Sequence, residues 1–252
     1  MKNTFFTASL VIMLTASCAT HLRMTDISMT RILIDSTYDK NPDPQAAAFM
    51  APYKKTVDSL MSPVVGHVAS YMWAARPESN LSNLLADILI WAGSDYNEQP
   101  AFSLYNMGGI RASLSKGVVT YGNVLEVAPF ENKICFFDLS GASVMTLFKQ
   151  IAANGGEGIS HGVELVITKQ GELLSAKING NDVDTNATYR VASIDYLAQG
   201  NDGLTALKEK TNVNSPSDKK NNMRFIIMNY FKEKESKGEV VDYKVEGRIT
   251  IK

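Results

Sequence analysis

The chain has 252 residues, so one large domain or two small ones fit within it. Hydrophobic residues make up 45%, enough for a sizeable core. With 25 Lys and Arg against 26 Asp and Glu, the formal net charge is −1. No global field draws such a chain to nucleic acid or to an anionic membrane, so any phosphate recognition must come from a local site.

The amino-terminal stretch reads as an export signal. Met1-Lys2-Asn3 is a short basic start, and Phe5 to Leu14 is mostly apolar but too short to cross a bilayer as a helix. Thr15-Ala16-Ser17 places small residues directly before Cys18, as in a lipoprotein signal, although Thr15 stands where leucine is usual. Residues 1–17 are therefore expected to be a signal peptide. Cys18 is expected to carry a lipid, and residues 18–37 to form a tether and a first extended segment. The protein would be exported and membrane-anchored, on the periplasmic side. Cys135, the other cysteine, lies in the apolar run Ile134-Cys135-Phe136-Phe137 and reads as a buried strand residue. With Cys18 lipidated no disulfide remains, and the core alone must hold the domain.

Beyond the break at Pro42 and Pro44, helical spacing predicts a helix over 45–61, with Ala48, Met50, Val57 and Leu60 on one face. Residues 64–69 predict a strand. Ser79 suits the N-cap of a helix to about Ser94, striped by Leu81, Leu84, Leu85, Ile88, Leu89 and Trp91. A short strand over 102–105 leads into the turn Asn106-Met107-Gly108-Gly109. A helix or turn is expected over 120–128, and a strand over 133–139. Ser140 caps a helix that Asn154-Gly155-Gly156 stops. Strands follow over 163–168, 173–178 and 188–194, with Asn179-Gly180 a strong turn signal. Residues 208–220 read as an exposed polar loop, 221–234 as an amphipathic helix, and 240–252 as closing strands. Helices and strands mix without strict alternation. The fold class expected is α+β: a single domain over 38–252 with a mixed β-sheet packed against helices.

Four stretches carry candidate chemistry. They are E-S-N-L-S-N-L-L-A-D over 78–87, N-M-G-G-I-R over 106–111, T-Y-G-N-V-L-E-V-A-P-F-E-N over 120–132, and D-Y-L-A-Q-G-N-D-G over 195–203. Gly108 and Gly109 let a backbone approach a ligand closely, and Arg111 after them offers a planar, permanently charged fork for phosphate or carboxylate. Asn106 can read a base edge or stabilise its own turn. Phe130 and Tyr196 can sandwich a flat ring, or plug a core. Asp202 can accept from sugar hydroxyls, or shape its loop as an Asx-turn.

In this order the four stretches resemble the C-terminal domain of the 5′-nucleotidase and UDP-sugar hydrolase family, over roughly 64–252. The resemblance implies that fold and a nucleotide- or nucleoside-binding role. It implies stacking of the base between Phe130 and Tyr196, and contacts to base, phosphate or sugar from Asn106, Gly108, Gly109, Asn132, Arg111 and Asp202. Departures from the family pattern fall at Met107, Glu131 and Asn201, each in place of a glycine, and at Tyr196, where phenylalanine is commonest. An arginine that precedes the E-S-N segment in the family has Arg76 near its place. The family's hydrolysis uses two divalent metals held by histidine- and aspartate-rich segments. This chain has three histidines, His21, His67 and His161, none in such a segment. No catalytic residue and no metal or other cofactor is therefore expected in this chain; the metals are expected on a separate metallophosphoesterase partner. Two roles stay open: the recognition half of a split nucleotidase, or a stand-alone nucleoside- or nucleotide-binding lipoprotein. A structural relic is a weaker third.

Overall fold

The computed structural model describes residues 24–252. The expected signal peptide, Cys18 and His21 lie outside the described residues. Contacts divide the chain into two compact units, one ending at Met50 and one running from Ala51 to Lys252. Residues 24–34 have no regular structure, and a short 3-10 turn covers Tyr38–Lys40. Helix α1, Pro44–Met61, begins where expected. Proline is tolerated at a first helical position because the amide it lacks would be unpaired there, and Asp43 Oδ1 accepts from the Gln45 and Ala46 amides. α1 buries none of its residues, with Met50, Val57 and Leu60 each more than half exposed. Helical spacing reports a shared face, and a face becomes core only when another layer covers it.

The larger unit is α+β. Strand β1 (Val64–Val68) is followed by α2 (Asn80–Ala92), β2 (Phe102–Tyr105), β3 (Gly117–Thr120), α3 (Tyr121–Val127) and β4 (Ile134–Ser140). Helix α4 (Gly141–Ala153) precedes β5 (Gly158–Ile159), β6 (Val163–Ile167), β7 (Leu173–Ile178), β8 (Asn181–Asp182) and β9 (Thr188–Ile194). The one-turn helix α5 (Asp195–Ala198), β10 (Thr211–Asn214), α6 (Met223–Ser236) and β11 (Ile249–Ile251) complete it. Strands β10-β4-β9-β2-β5 form a mixed sheet, β11-β6-β7-β8 a second, and β1-β3 a ribbon. Ser79 and Ser82 build a capping box at the start of α2, satisfying amides that helix geometry leaves without partners. Leu81, Leu84, Leu85, Ile88 and Leu89 are fully buried, with Phe102, Phe136, Phe137 and Phe148 in the same core. Cys135 is buried on β4, as its apolar neighbours indicated.

Two expectations are corrected. The polar stretch 208–220 contains the edge strand β10, paired with β4. The closing segment holds one strand, β11, plus an isolated parallel bridge between Val241 and Val68.

The topology gathers the candidate loops. Strands β4 and β9 are antiparallel with Ile134 opposite Ile194, so the start of β4 and the end of β9 share one edge of the sheet. Strand β2 runs parallel to β9, so its end reaches the same edge. The segments carrying Phe130, Tyr196 and Asn106 therefore leave the sheet side by side.

Candidate nucleoside-binding site

At this edge a cavity of about 210 Å³ is lined by Asn106, Gly108, Gly109, Phe130, Asn132, Tyr196 and Asp202. The structure thus brings seven of the eight residues singled out in the sequence into one wall. Arg111 is exposed, and its Nη1 donates to the Gly108 carbonyl at 3.3 Å, beside the cavity rather than in its lining. Phe130 is 47% exposed and Tyr196 36%, so neither ring plugs the core.

Each wall is held by named bonds. Asp195 ties the two aromatic segments together: its Oδ1 accepts from the Lys133 amide at 3.1 Å and the Tyr196 amide at 2.8 Å, while its own amide donates to the Lys133 carbonyl. The Phe130 loop is clamped from α6, where Arg224 Nη2 donates to the Pro129 carbonyl at 2.8 Å and the Met223 amide donates to the Asn132 carbonyl. Asn106 is buried, and its Nδ2 donates to Asp202 Oδ2 at 2.7 Å. That acceptor fixes the orientation of the amide, and Asn106 Oδ1 is left buried without a partner among the described residues. A Cβ on Gly109 would stand 2.5 Å from this oxygen, so glycine is required for the close approach.

A buried carboxylate that the sequence did not announce braces the floor. Glu157 is 1% exposed, and accepts from the Met107 amide at 2.7 Å, from Arg76 and from Asn154. Burial pushes its carboxyl up, against the pull of the Met107 amide and of Arg76. Asn154 Nδ2 also donates to the Asp202 carbonyl at 2.9 Å, linking this brace to the cavity wall. Arg76 additionally donates to the Gly156 carbonyl. A glutamate after two glycines carries no local signal of burial; only the fold places it under the Met107 turn.

The 78–87 stretch has a structural task. Glu78 Oε1 accepts from Asn83 and from the Glu246 amide, and Oε2 from the Gly247 amide. Asp87 pairs with Arg248. These residues fasten the carboxy-terminal segment to α2, away from the cavity lining.

Among the described residues no group of three or more His, Cys, Asp or Glu is placed to hold a metal ion. His67 and His161 each lie against a single carboxylate, Glu235 at 2.8 Å and Glu246 at 3.0 Å. That donor set does not fit the paired metals of the hydrolase chemistry.

The larger unit is thus an α+β domain with a mixed sheet whose loops meet at a cavity walled by two half-exposed aromatics and an asparagine–aspartate pair. The family described as 5′-nucleotidase, C-terminal domain, matches residues 64–209, and the chain belongs to it. It is 30% identical over 246 residues to the trifunctional nucleotide phosphoesterase protein YfkN of Bacillus subtilis, covering 89% of this chain and 16% of that protein. It is 27% identical over 169 residues to the protein UshA of Escherichia coli, covering 66% of this chain and 31% of the relative. The crystal structure of a 5′-nucleotidase precursor from Thermus thermophilus superposes with a TM-score of 0.71 at 28% identity, over 84% of this chain and 44% of that one. The chain spans about a third or less of these curated relatives.

Proposed function

We propose that this chain is the nucleotide- or nucleoside-recognition subunit of a split 5′-nucleotidase, acting with a separate metallophosphoesterase chain that supplies the divalent metals. The observation that carries the reading is the cavity flanked by Phe130 and Tyr196 with Asn106 and Asp202 in its wall. Half-exposed aromatic rings suit a base, and Asp202, exposed in the cavity lining, suits sugar hydroxyls. Arg111, exposed beside the cavity, would meet a phosphate carried out of it. In this reading hydrolysis is assigned to the partner, which would carry the divalent metals.

Export and lipid attachment at Cys18 belong to the same proposal and would place the pair outside the cytoplasm. Among the described residues no helix is long and apolar enough to cross a membrane, and a lipid on Cys18 would be the anchor. Mass spectrometry of the mature protein should find a diacylglyceryl Cys18 at the amino terminus; an unmodified Cys18 or an intact Met1 overturns the anchor.

Calorimetry with AMP and adenosine tests the recognition role. Binding by the wild-type chain is expected, and Phe130→Ala should weaken it by about 1–3 kcal/mol, the usual range for one base–aromatic stack. No binding, with or without a metallophosphoesterase chain, overturns the reading. Binding without any activation of such a chain leaves a stand-alone binding lipoprotein and removes the split enzyme.

A further inference from the structure

We propose that the Tyr196 hydroxyl is a positioning group that couples the stacking wall to the sugar acceptor, so that the site reads a flat ring and a vicinal diol as one unit. The proposal rests on the nucleoside reading above and goes beyond it by naming what sets the preference for a ribose.

Tyr196 Oη donates to Asp202 Oδ1 at 2.8 Å, while Asn106 Nδ2 donates to Oδ2 at 2.7 Å. Both carboxylate oxygens are thus engaged before any ligand arrives. The loop between them is tied at its backbone as well. Asn201 Nδ2 donates to the Tyr196 carbonyl at 2.8 Å, and Asn154 Nδ2 donates to the Asp202 carbonyl. Asp202 holds a left-handed backbone, φ 56°, a region that aspartate and asparagine enter more readily than other side-chain-bearing residues. Tyr196 is more than a third exposed, and its hydroxyl bond sets the offset between ring and carboxylate.

The chemistry of a carboxylate then selects the ligand. Its two oxygens offer about four acceptor sites in all. Tyr196 and Asn106 fill one on each oxygen, leaving one open on each. Two hydroxyls on neighbouring carbons match that pair of open sites; a sugar lacking them leaves the carboxylate under-bonded. Removing the Tyr196 hydroxyl keeps the aromatic face in place but lets the carboxylate turn, so the diol is no longer held at a fixed offset from the ring. The phenol, raised in pKa by its bond to Asp202, stays protonated and donating across the physiological range.

The experiment is calorimetric titration of the full chain with adenosine and with 2′,3′-dideoxyadenosine, for wild type, Tyr196→Phe and Asp202→Asn. Wild type should prefer adenosine by about ten- to hundredfold, as for hydrogen bonds to a charged acceptor. In Tyr196→Phe the dideoxy compound should bind as to wild type, while the preference for adenosine falls to within a few-fold. Asp202→Asn, which keeps the tyrosine, should erase the same preference. A preference unchanged in Tyr196→Phe overturns the proposal, as does an equal loss for both compounds, the mark of a merely structural tyrosine. If wild type binds both compounds equally, this proposal falls and the nucleoside reading stands. If wild type binds neither, both fall.

Discussion

Arg248 and Asp87 meet fork to fork across 161 positions of chain, Nη1 to Oδ1 and Nη2 to Oδ2, both at 2.8 Å. The Arg248 side chain is 3% exposed and also donates to the Ile159 carbonyl and to Glu246. Removing one partner of a buried pair leaves the other charge uncompensated, at a cost of about 3–5 kcal/mol. Arg248→Met is expected to lose stability in that range by urea unfolding. The double variant Arg248→Met with Asp87→Leu should lose less than the single one. Equal losses would mean that packing, not charge, accounts for the effect.

Acid should release a second ion cluster. The two-pronged bond from Arg190, against the cost of burial, holds the Glu98 carboxyl below its ordinary 4.5. A lowered carboxyl contributes stability above the unfolded value that is lost as pH falls through the folded one. Glu98→Gln is expected to destabilise the domain by roughly 1.5–3 kcal/mol at neutral pH. The gap to wild type should shrink steadily below about pH 4.5. A gap that stays constant to low pH would remove the charge from the account.

The two glycines of the turn should separate folding from binding. An added methyl at Gly109 would collide with Asn106 Oδ1, whereas at Gly108 it would meet Asn106 and Asp202 only at 3.6 and 3.8 Å. Gly109→Ala is expected to cost about 1–3 kcal/mol of stability through overpacking, and nucleoside binding with it. Gly108→Ala should melt like wild type but bind less tightly, because its methyl enters the cavity. Thermal melts beside calorimetry decide; normal binding by Gly109→Ala would show that the turn simply shifts.

Arg224 positions a wall without lining the cavity. Arg224→Ala frees the Pro129 carbonyl and one anchor of the Phe130 loop. Adenosine affinity is expected to fall several-fold, on the scale of one hydrogen bond, about 1 kcal/mol. Phe130→Ala combined with Arg224→Ala should be no worse than Phe130→Ala alone. Additive losses would detach Arg224 from the aromatic wall.

Arg111 offers a kinetic check on the split enzyme. As an exposed residue it contributes little to the core, so Arg111→Ala should shift stability by no more than about 0.5 kcal/mol. It should nevertheless lower kcat/KM for AMP in the reconstituted pair through poorer substrate positioning. Unchanged kinetics would confine this arginine to its contact with Gly108.

Much of this was legible because local signals and the fold agree. The Ser79 cap, the stripe on α2 and the Asn179-Gly180 turn between β7 and β8 each follow from residues close in sequence. The cavity residues were readable through the family resemblance of the four stretches taken in order, since a glycine pair, a Pro-Phe and an Asn-Asp-Gly are each common turn or core chemistry alone. What stayed hidden depends on distant partners. Glu157 becomes a buried brace only when α4 delivers it beneath Met107. Strand β10 is polar because an edge strand needs only its backbone to pair with β4. The spacing in α1 predicts a shared apolar face but not whether it is covered, because burial is a property of neighbours. Arg111 reads as an anion-binding fork from its place after the glycines, and its contact with the Gly108 carbonyl depends on how the turn folds.

The carboxylate of Glu78 holds the amides of Glu246 and Gly247, the former 168 positions downstream. A ribosome makes the acceptor long before it makes the donors. Until those residues emerge, Glu78 and Asp87 are charges at the edge of a core that cannot seal over them. The domain therefore cannot close before those residues are available, and a chain truncated ahead of Glu246 is expected to stay open to proteases that the 252-residue chain resists.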